Sequence, residues 1–147
     1  MKLKKLNPLK RKRAKRDRLK LGDIIYTPLY GVLRHYGIIV NECPFGNHTV
    51  RTVHREVEAP LNQSYDEFAN GQKVYRISYP SKAQREEAVR KALSETDFDY
   101  HLLFNNCENF VRRAHGLKNV SLQVLAGTGL VSATLILALL RKRFPSI

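Results

Sequence analysis

The sequence predicts an α+β domain, because its strand-like stretches come first and its helical patterns follow. The clearest strand-like stretches are residues 35–40, which are apolar and β-branched, and residues 49–55, which alternate β-forming side chains. The clearest helical pattern places four small or apolar residues on one face, namely Cys107, Phe110, Val111 and Ala114.

The first half of the chain predicts a small sheet. A short strand is predicted at residues 24–26, and residues 35–40 and 49–55 should pair as a hairpin because turn-forming residues separate them. Residues 60–70 predict a polar loop, and residues 73–79 predict another strand.

Two helices are predicted in the second half. The first opens at Ser81, where Gln84 three residues later completes a capping-box pattern. Its buried side should carry Ala88, Ala92 and Leu93.

The second helix begins at Cys107, with Asn105 or Asn106 as its N-cap, and Gly116 is placed to end it. Free N–H groups and the helix dipole favour negative charge in a first turn, so we expect the Cys107 thiol to ionise more easily than an ordinary thiol. A buried structural cysteine is the competing interpretation. A histidine within hydrogen-bond reach of Cys107 would favour a catalytic role for this cysteine.

The formal net charge of +13 is concentrated at the two ends. Residues 1–20 hold eleven Lys and Arg against one acid, residues 141–147 hold three against none, and residues 21–140 hold twelve of each sign. A neutral domain between basic ends is not typical of a protein that coats nucleic acid. We predict that residues 1–20 form a disordered basic tail that contacts anionic lipid, and a nuclear or RNA-binding patch is the alternative.

Residues 119–140 contain no charged side chain and are rich in Leu, Val, Ala and Ile. About 20 apolar residues cross a bilayer core, so residues 119–147 predict a single-pass C-terminal membrane anchor with a basic end. A buried core helix is the alternative. Because no apolar signal segment opens the chain, we expect the domain at residues 21–118 to be cytosolic, with Cys43 and Cys107 as free thiols.

A thiol nucleophile needs a base within hydrogen-bond reach and usually a third group that orients the base. His35 starts one strand of the predicted hairpin and His54 lies near the end of the other, so antiparallel pairing should place both at one edge of the sheet. The remaining histidines are an exposed turn residue, a loop residue and a helix-end residue, namely His48, His101 and His115.

A metal site built from Cys43, His48 and His54 is disfavoured, because the spacing matches no zinc pattern and a fourth ligand is missing. No metal or organic cofactor is predicted.

Residues 106–111, Asn-Cys-Glu-Asn-Phe-Val, resemble the NCEHFV signature of the lecithin:retinol acyltransferase family, which is related to NlpC-type papain-like thiol enzymes. Residues 21–25 resemble the opening strand of that family, and residues 35–40 resemble its first histidine motif. Residues 116–140, with a Ser-x-Gln-Val segment before the apolar run, resemble the anchored phospholipase A/acyltransferase branch, the HRAS-like suppressors. Two differences from the family are Asn109, where the signature has histidine, and a longer interval between the two strand histidines.

The resemblance implies a permuted papain-like fold and a site made of three residues. Cys107 would be the nucleophile, His35 the general base and His54 the group that orients His35, with His48 as the alternative third member. The backbone N–H of Cys107 would stabilise the oxyanion, with Tyr26 or Tyr36 as a further donor.

The expected function is acyl transfer or phospholipase A-type hydrolysis of glycerophospholipid esters through a thioacyl-Cys107 intermediate. Water, an amine or a lysolipid would accept the acyl group. Two alternatives are a papain-like peptidase or amidase that uses the same residues, and a non-catalytic membrane adaptor with a degenerate triad.

Overall fold

An antiparallel sheet flanked by helices forms the part of the chain that the structure describes, which confirms the predicted α+β class. The structure is a computed structural model that describes residues 12–13, 16–29, 33–57, 59–77, 85–101, 105–118, 121, 124–127 and 129. The strands are β1 (Lys12–Arg13), β2 (Ile24–Pro28), β3 (Arg34–Asn41), β4 (Thr49–Thr52), β5 (Leu61–Ser64) and β6 (Tyr75–Ile77). The α-helices are α1 (Tyr65–Ala69), α2 (Arg85–Ser94) and α3 (Cys107–Ala114), and a 3₁₀ turn spans Arg16–Arg18.

The strands pair in the order β1-β6-β2-β3-β4-β5. The predicted hairpin is confirmed, since β3 and β4 are antiparallel neighbours with Gly37 opposite Thr52. Its register shifts between Ile39 and Asn41, so Val40 is an extra residue, a bulge, next to the hairpin loop.

The sheet separates two apolar layers, because successive side chains of a strand point to opposite faces. Tyr36 and Ile38 face the layer that also holds α2 and α3, whereas Ile39 faces the layer that holds α1. The first layer is made of Ile24, Tyr26, Tyr36, Ile38, Val53, Ala88, Ala92, Phe98, Cys107, Phe110, Val111 and Ala114. The second is made of Leu19, Ile25, Ile39, Val50, Tyr65, Phe68, Ala69 and Val74.

The folded part of the chain begins ahead of the boundary predicted at residue 21. Leu19 is buried in the second layer. Arg16 donates to the carbonyl of Gly46 at 2.6 Å and forms an ion pair with Asp66 at 2.8 Å. These contacts fix the end of the basic segment beside the β3–β4 hairpin loop.

The prediction of a polar loop at residues 60–70 is wrong, because β5 and α1 lie there. The hydroxyl of Ser64 accepts the N–H of Glu67, and the Glu67 carboxylate accepts the N–H of Ser64, so a capping box starts α1. Three residues of α1 then face the core, namely Tyr65, Phe68 and Ala69. Their burial stabilises the helix in this otherwise polar stretch.

In α2, Ala88 and Ala92 are buried as predicted, but Leu93 is exposed and Val89 takes its place in the core. The predicted start of this helix at Ser81 lies outside the described residues, as do the last two residues of the strand predicted at 73–79.

Most of the apolar run at residues 119–140 also lies outside the described residues. In the described part of the chain, no helix has the length and apolar character needed to cross a membrane.

Candidate active site

The first turn of α3 holds Cys107 in place. Asn106 is the N-cap, and its Oδ1 accepts the N–H groups of Glu108 at 2.9 Å and Asn109 at 3.1 Å. Asn109 Oδ1 accepts the N–H of Asn106 at 3.2 Å, so the two asparagines cap the helix reciprocally. Asn109 therefore has a structural role in holding the first turn of α3, which carries the thiol.

The Cys107 sulfur packs against the backbone of β3. It accepts the N–H of Tyr36 at 3.4 Å, and its S–H points to the carbonyl of Arg34 at 3.8 Å. The thiol therefore contacts the peptide groups on both sides of His35.

Burial raises the pKa of the Cys107 thiol to about 11, and the nearby Glu108 carboxylate raises it further, although backbone N–H groups oppose both effects. The expected increase in acidity at the helix start is therefore wrong for this closed arrangement, because desolvation of the thiolate outweighs the helix N-terminus. The Cys107 thiol is therefore neutral near pH 7.

The two strand histidines lie side by side, as their placement in the hairpin predicts. The ring centroids of His35 and His54 are 4.6 Å apart, and the His35 ring stacks on Phe68 at 5.1 Å. His54 lies just beyond the end of β4, and its Nε2 is 3.4 Å from Oε1 of Gln63.

The protonation of His35 follows from its neighbour Thr52. The Thr52 hydroxyl donates its proton to the carbonyl of Tyr36 at 2.6 Å and lies 3.3 Å from His35 Nε2. Because that proton is already used, Thr52 must accept from Nε2–H, which leaves Nδ1 as the basic nitrogen. Burial, assisted by electrostatic repulsion from the neighbouring His54, lowers the pKa of His35 to about 4, so the ring is neutral near pH 7.

His35 and Cys107 approach the same cavity from different layers. The imidazole contacts Phe68 in the second layer, whereas Cys107 belongs to the first. Among the described residues, the hydrogen bond of His35 is to Thr52, and none joins the imidazole to the Cys107 sulfur.

The cavity has a volume of about 380 Å³ and lies where β2 and β4 end and β3 begins. Both apolar and charged side chains line it, so it can receive an apolar group that carries a polar or ionic end. Its walls include Leu29, Leu33, Val53 and Phe68, together with Arg34, Arg55, Glu56 and Glu67.

Tyr100 is a cavity residue that the sequence did not single out. It is half-buried beside Cys107, and burial together with the thiolate charge raises the pKa of its phenol. The next residue, His101, forms a short bridge with Asn105 through two backbone hydrogen bonds of 2.8 Å.

The two tyrosines named as further oxyanion donors keep their rings in the core. The Tyr26 ring stacks on Tyr75 at 5.2 Å, and the guanidinium of Arg34 lies 4.8 Å from its centre. Tyr36 is also buried, and it meets the thiol through its backbone N–H rather than its phenol.

His48 is buried at the opposite end of β4, although the sequence predicted an exposed turn residue. Its Nδ1 accepts the N–H of Cys43 at 3.1 Å, and its Nε2 lies 2.8 Å from the carbonyl of Arg16. His48 therefore braces the hairpin loop and does not replace His54. In the described part of the chain, no group of three metal-binding side chains is present.

Comparisons with protein-family models, with curated proteins and with solved structures found no match. What the site can do must therefore be argued from its residues. They provide a thiol at a helix start, a neutral imidazole with one basic nitrogen, and a cavity that both reach. These are the parts that acyl transfer through a thioester requires.

Proposed function

We propose that the protein is a cysteine-dependent acyltransferase with phospholipase A activity on glycerophospholipid esters. The observation that carries this proposal is that Cys107, at the start of α3, and His35, neutral at pH 7, line one cavity. We also propose that the domain has a permuted papain-like fold, as in the family that the sequence resembles.

Activation of the thiol requires His35 to turn. In the free protein the imidazole is held by Phe68 and Thr52, and catalytic hydrogen bonds are often absent until substrate binds. Rotation of the side chain gives up the hydrogen bond to Thr52 and the ring contact with Phe68, each worth about 1 kcal/mol. The basic Nδ1 would then accept the Cys107 proton, and His54 would orient the imidazolium.

The thiolate attacks the ester carbonyl carbon and forms a tetrahedral oxyanion that the backbone N–H of Cys107 stabilises. The carbon–oxygen ester bond breaks, and the imidazolium gives its proton to the departing lysophospholipid oxygen. The thioacyl-Cys107 is then attacked by water, an amine or a lysolipid, and the thiol is restored. His35 removes and returns one proton in each half of the cycle, and the reaction requires no metal or organic cofactor.

The cavity supports a lipid ester as substrate. Leu29 and Leu33 are partly exposed at its walls and suit an acyl chain, and Arg34 and Arg55 suit a phosphate group. We further propose that residues 119–140 hold the domain at a membrane with the domain in the cytosol, and that residues 1–20 add an electrostatic contact with anionic lipid. Confinement at the bilayer would raise the local substrate concentration.

A peptidase or amidase would use the same chemistry on a peptide bond.

The state of the unliganded site favours a different alternative, the non-catalytic adaptor. The His35 imidazole is hydrogen-bonded to Thr52 and the thiol pKa is about 11, so the unliganded protein does not hold an activated nucleophile.

The test is incubation of the purified full-length protein with phosphatidylcholine that carries a labelled acyl chain. We expect an acyl adduct that hydroxylamine removes, together with release of lysolipid. Cys107→Ala should lose both, and His35→Ala should lose nearly all of both. Cys43→Ala is the matched control and should keep them.

Wild-type protein that neither forms an adduct nor releases lysolipid would refute the proposed acyltransferase and phospholipase activity. Cleavage of a peptide or amide library, with no lipid turnover, would favour the peptidase.

A further inference from the structure

The ring of His54 is held by side-chain contacts. β4 ends at Thr52, and His54 follows in a turn in which its carbonyl accepts the N–H of Val57 at 3.3 Å. Its imidazole lies 4.6 Å from that of His35, centre to centre, and its Nε2 lies 3.4 Å from Oε1 of Gln63. The orientation of this ring is therefore set by its contacts with His35 and Gln63.

Pairing and capping fix the backbone around Gln63. β5 pairs with β4 along its whole length, which places Gln63 opposite Val50, a residue of the second layer. The next residue, Ser64, caps α1 through its hydroxyl, which accepts the N–H of Glu67 at 3.2 Å. The half-buried Gln63 side chain therefore lines the cavity from a backbone that is held on both sides.

The contact with Gln63 selects one tautomer of His54. An amide oxygen can only accept a hydrogen bond, so His54 Nε2 must carry the proton that it donates. In the neutral ring Nδ1 then has no proton and keeps its lone pair as an acceptor. Thr52 imposes the same tautomer on His35, because it accepts the Nε2–H of that ring at 3.3 Å. In their neutral forms both rings therefore present a basic Nδ1.

A third member that orients a histidine base has to accept a hydrogen bond from that base. A carboxylate accepts through either oxygen, whereas a neutral imidazole accepts through only one of its two nitrogens. In the wrong tautomer, His54 would present an N–H where the N–H of the His35 imidazolium needs an acceptor. A histidine in this role therefore needs a neighbour that fixes the position of its proton.

We propose that Gln63 is a positioning residue, which fixes the tautomer of His54 so that its Nδ1 can accept a hydrogen bond from the His35 imidazolium. The proposal rests on the proposed function, because it names a further residue of the same site. When His35 turns away from Thr52, its Nε2–H becomes free to donate to His54, while Gln63 keeps the His54 proton on Nε2. The contact of 3.4 Å is long in the free protein, and catalytic hydrogen bonds often shorten only in the complex with substrate.

The first measurement is the tautomer of His54, obtained by NMR from the chemical shifts of its two ring nitrogens. It uses the full-length protein with isotope-labelled histidine in detergent at about pH 9, well above the ordinary imidazole pKa of about 6.5. The His54 signals are those that disappear in His54→Gln. We expect the Nε2–H tautomer in wild type and a mixture of both tautomers in Gln63→Met, which keeps the length of the side chain and removes the acceptor. Gln63→Glu keeps an acceptor oxygen and should restore the Nε2–H tautomer.

Gln72→Met is the matched control for the spectrum. It makes the same change on another wall of the cavity, where the described part of the chain shows no hydrogen bond from the glutamine side chain to a histidine. The His54 tautomer should therefore stay as in wild type.

The second measurement is lipid turnover. Gln63→Met should lower kcat by about fivefold, the equivalent of one neutral hydrogen bond. KM for phosphatidylcholine should stay unchanged, because the lost bond is to His54 and not to the lipid. Gln63→Glu should recover most of kcat at the same pH.

A wild-type His54 with its proton on Nδ1 would overturn the proposal, since the Gln63 amide would then donate to the ring and not accept from it. So would a Gln63→Met spectrum equal to that of Gln72→Met, or a Gln63→Met protein with wild-type kcat. The tautomer is measured without substrate, so the absence of lipid turnover in wild type, which would refute the proposed function, is distinguishable from failure of this arrangement.

Discussion

Replacement of the N-cap of α3, Asn106→Ala, tests how the helix that begins at Cys107 is held. The substitution removes the acceptor of two backbone N–H groups, those of Glu108 and Asn109, at a position that is 1% exposed. Loss of an N-cap costs about 0.5–2 kcal/mol, and a buried donor left without a partner costs about 1–3 kcal/mol. Because both donors are buried and water cannot replace the acceptor, we expect a loss of about 2–3 kcal/mol in the free energy of unfolding.

The assay is urea unfolding followed by circular dichroism. With a slope of about 2 kcal/mol per molar urea, the midpoint should fall by about 1 M. Asn106→Asp keeps a side-chain oxygen acceptor and should recover part of the loss. The exposed loop residue Asn47 is the matched control, and Asn47→Ala should change stability by less than about 0.5 kcal/mol. An Asn106→Ala midpoint within 0.2 M of that control, on the order of 0.4 kcal/mol, would refute the reasoning.

Three further predictions concern stability. The folded pKa of His35 lies below its ordinary value, so the unfolded chain binds the proton more readily, and stability present at pH 7 is lost as the pH falls below about 6.5. Between pH 7 and pH 5 this should cost about 2 kcal/mol, which urea titrations of His35→Gln should lack. Gly37→Ala would place a methyl group 2.8 Å from the Phe68 ring and should destabilise by about 1–3 kcal/mol in thermal unfolding. Arg51→Met should cost about 2–3 kcal/mol, because the carbonyls at the end of α2 lose their buried guanidinium donor.

Each prediction has a contrary outcome. Equal pH dependence in wild type and His35→Gln would mean that the imidazole is not held neutral by the fold. An unchanged melting temperature for Gly37→Ala would mean that β3 and α1 are less closely packed than their distances indicate. Arg51→Met at wild-type stability would show that methionine packing offsets the lost hydrogen bonds.

The apolar patterns in the sequence predicted the hairpin and the helix that begins at Cys107, because the apolar residues of these patterns are the ones that are buried. Residues 35–40 are apolar on both faces since both faces of β3 are covered, and the helix face that follows Cys107 is the one that packs on the sheet. Residues 61–69 were missed because five of the nine are polar, and their capping box was the available signal.

The site was harder to predict than the elements that carry it. Antiparallel pairing correctly placed His35 beside His54, but the layer that each side chain faces depends on the whole sheet. The thiol pKa likewise depends on burial, which no local pattern near Cys107 reveals. The contact of Gln63 with His54 depends on β5, a strand in the stretch that was predicted as a loop.

The bulge at Val40 separates the hairpin loop from the pairing at the other end of the strands. Residues 42–48 can therefore gain or lose members without moving His35 relative to His54, because an extra residue is absorbed where the register already shifts. That loop lies at the end of the sheet away from the cavity. A residue inserted in this loop would therefore leave the end of the sheet that carries His35 and His54 unchanged.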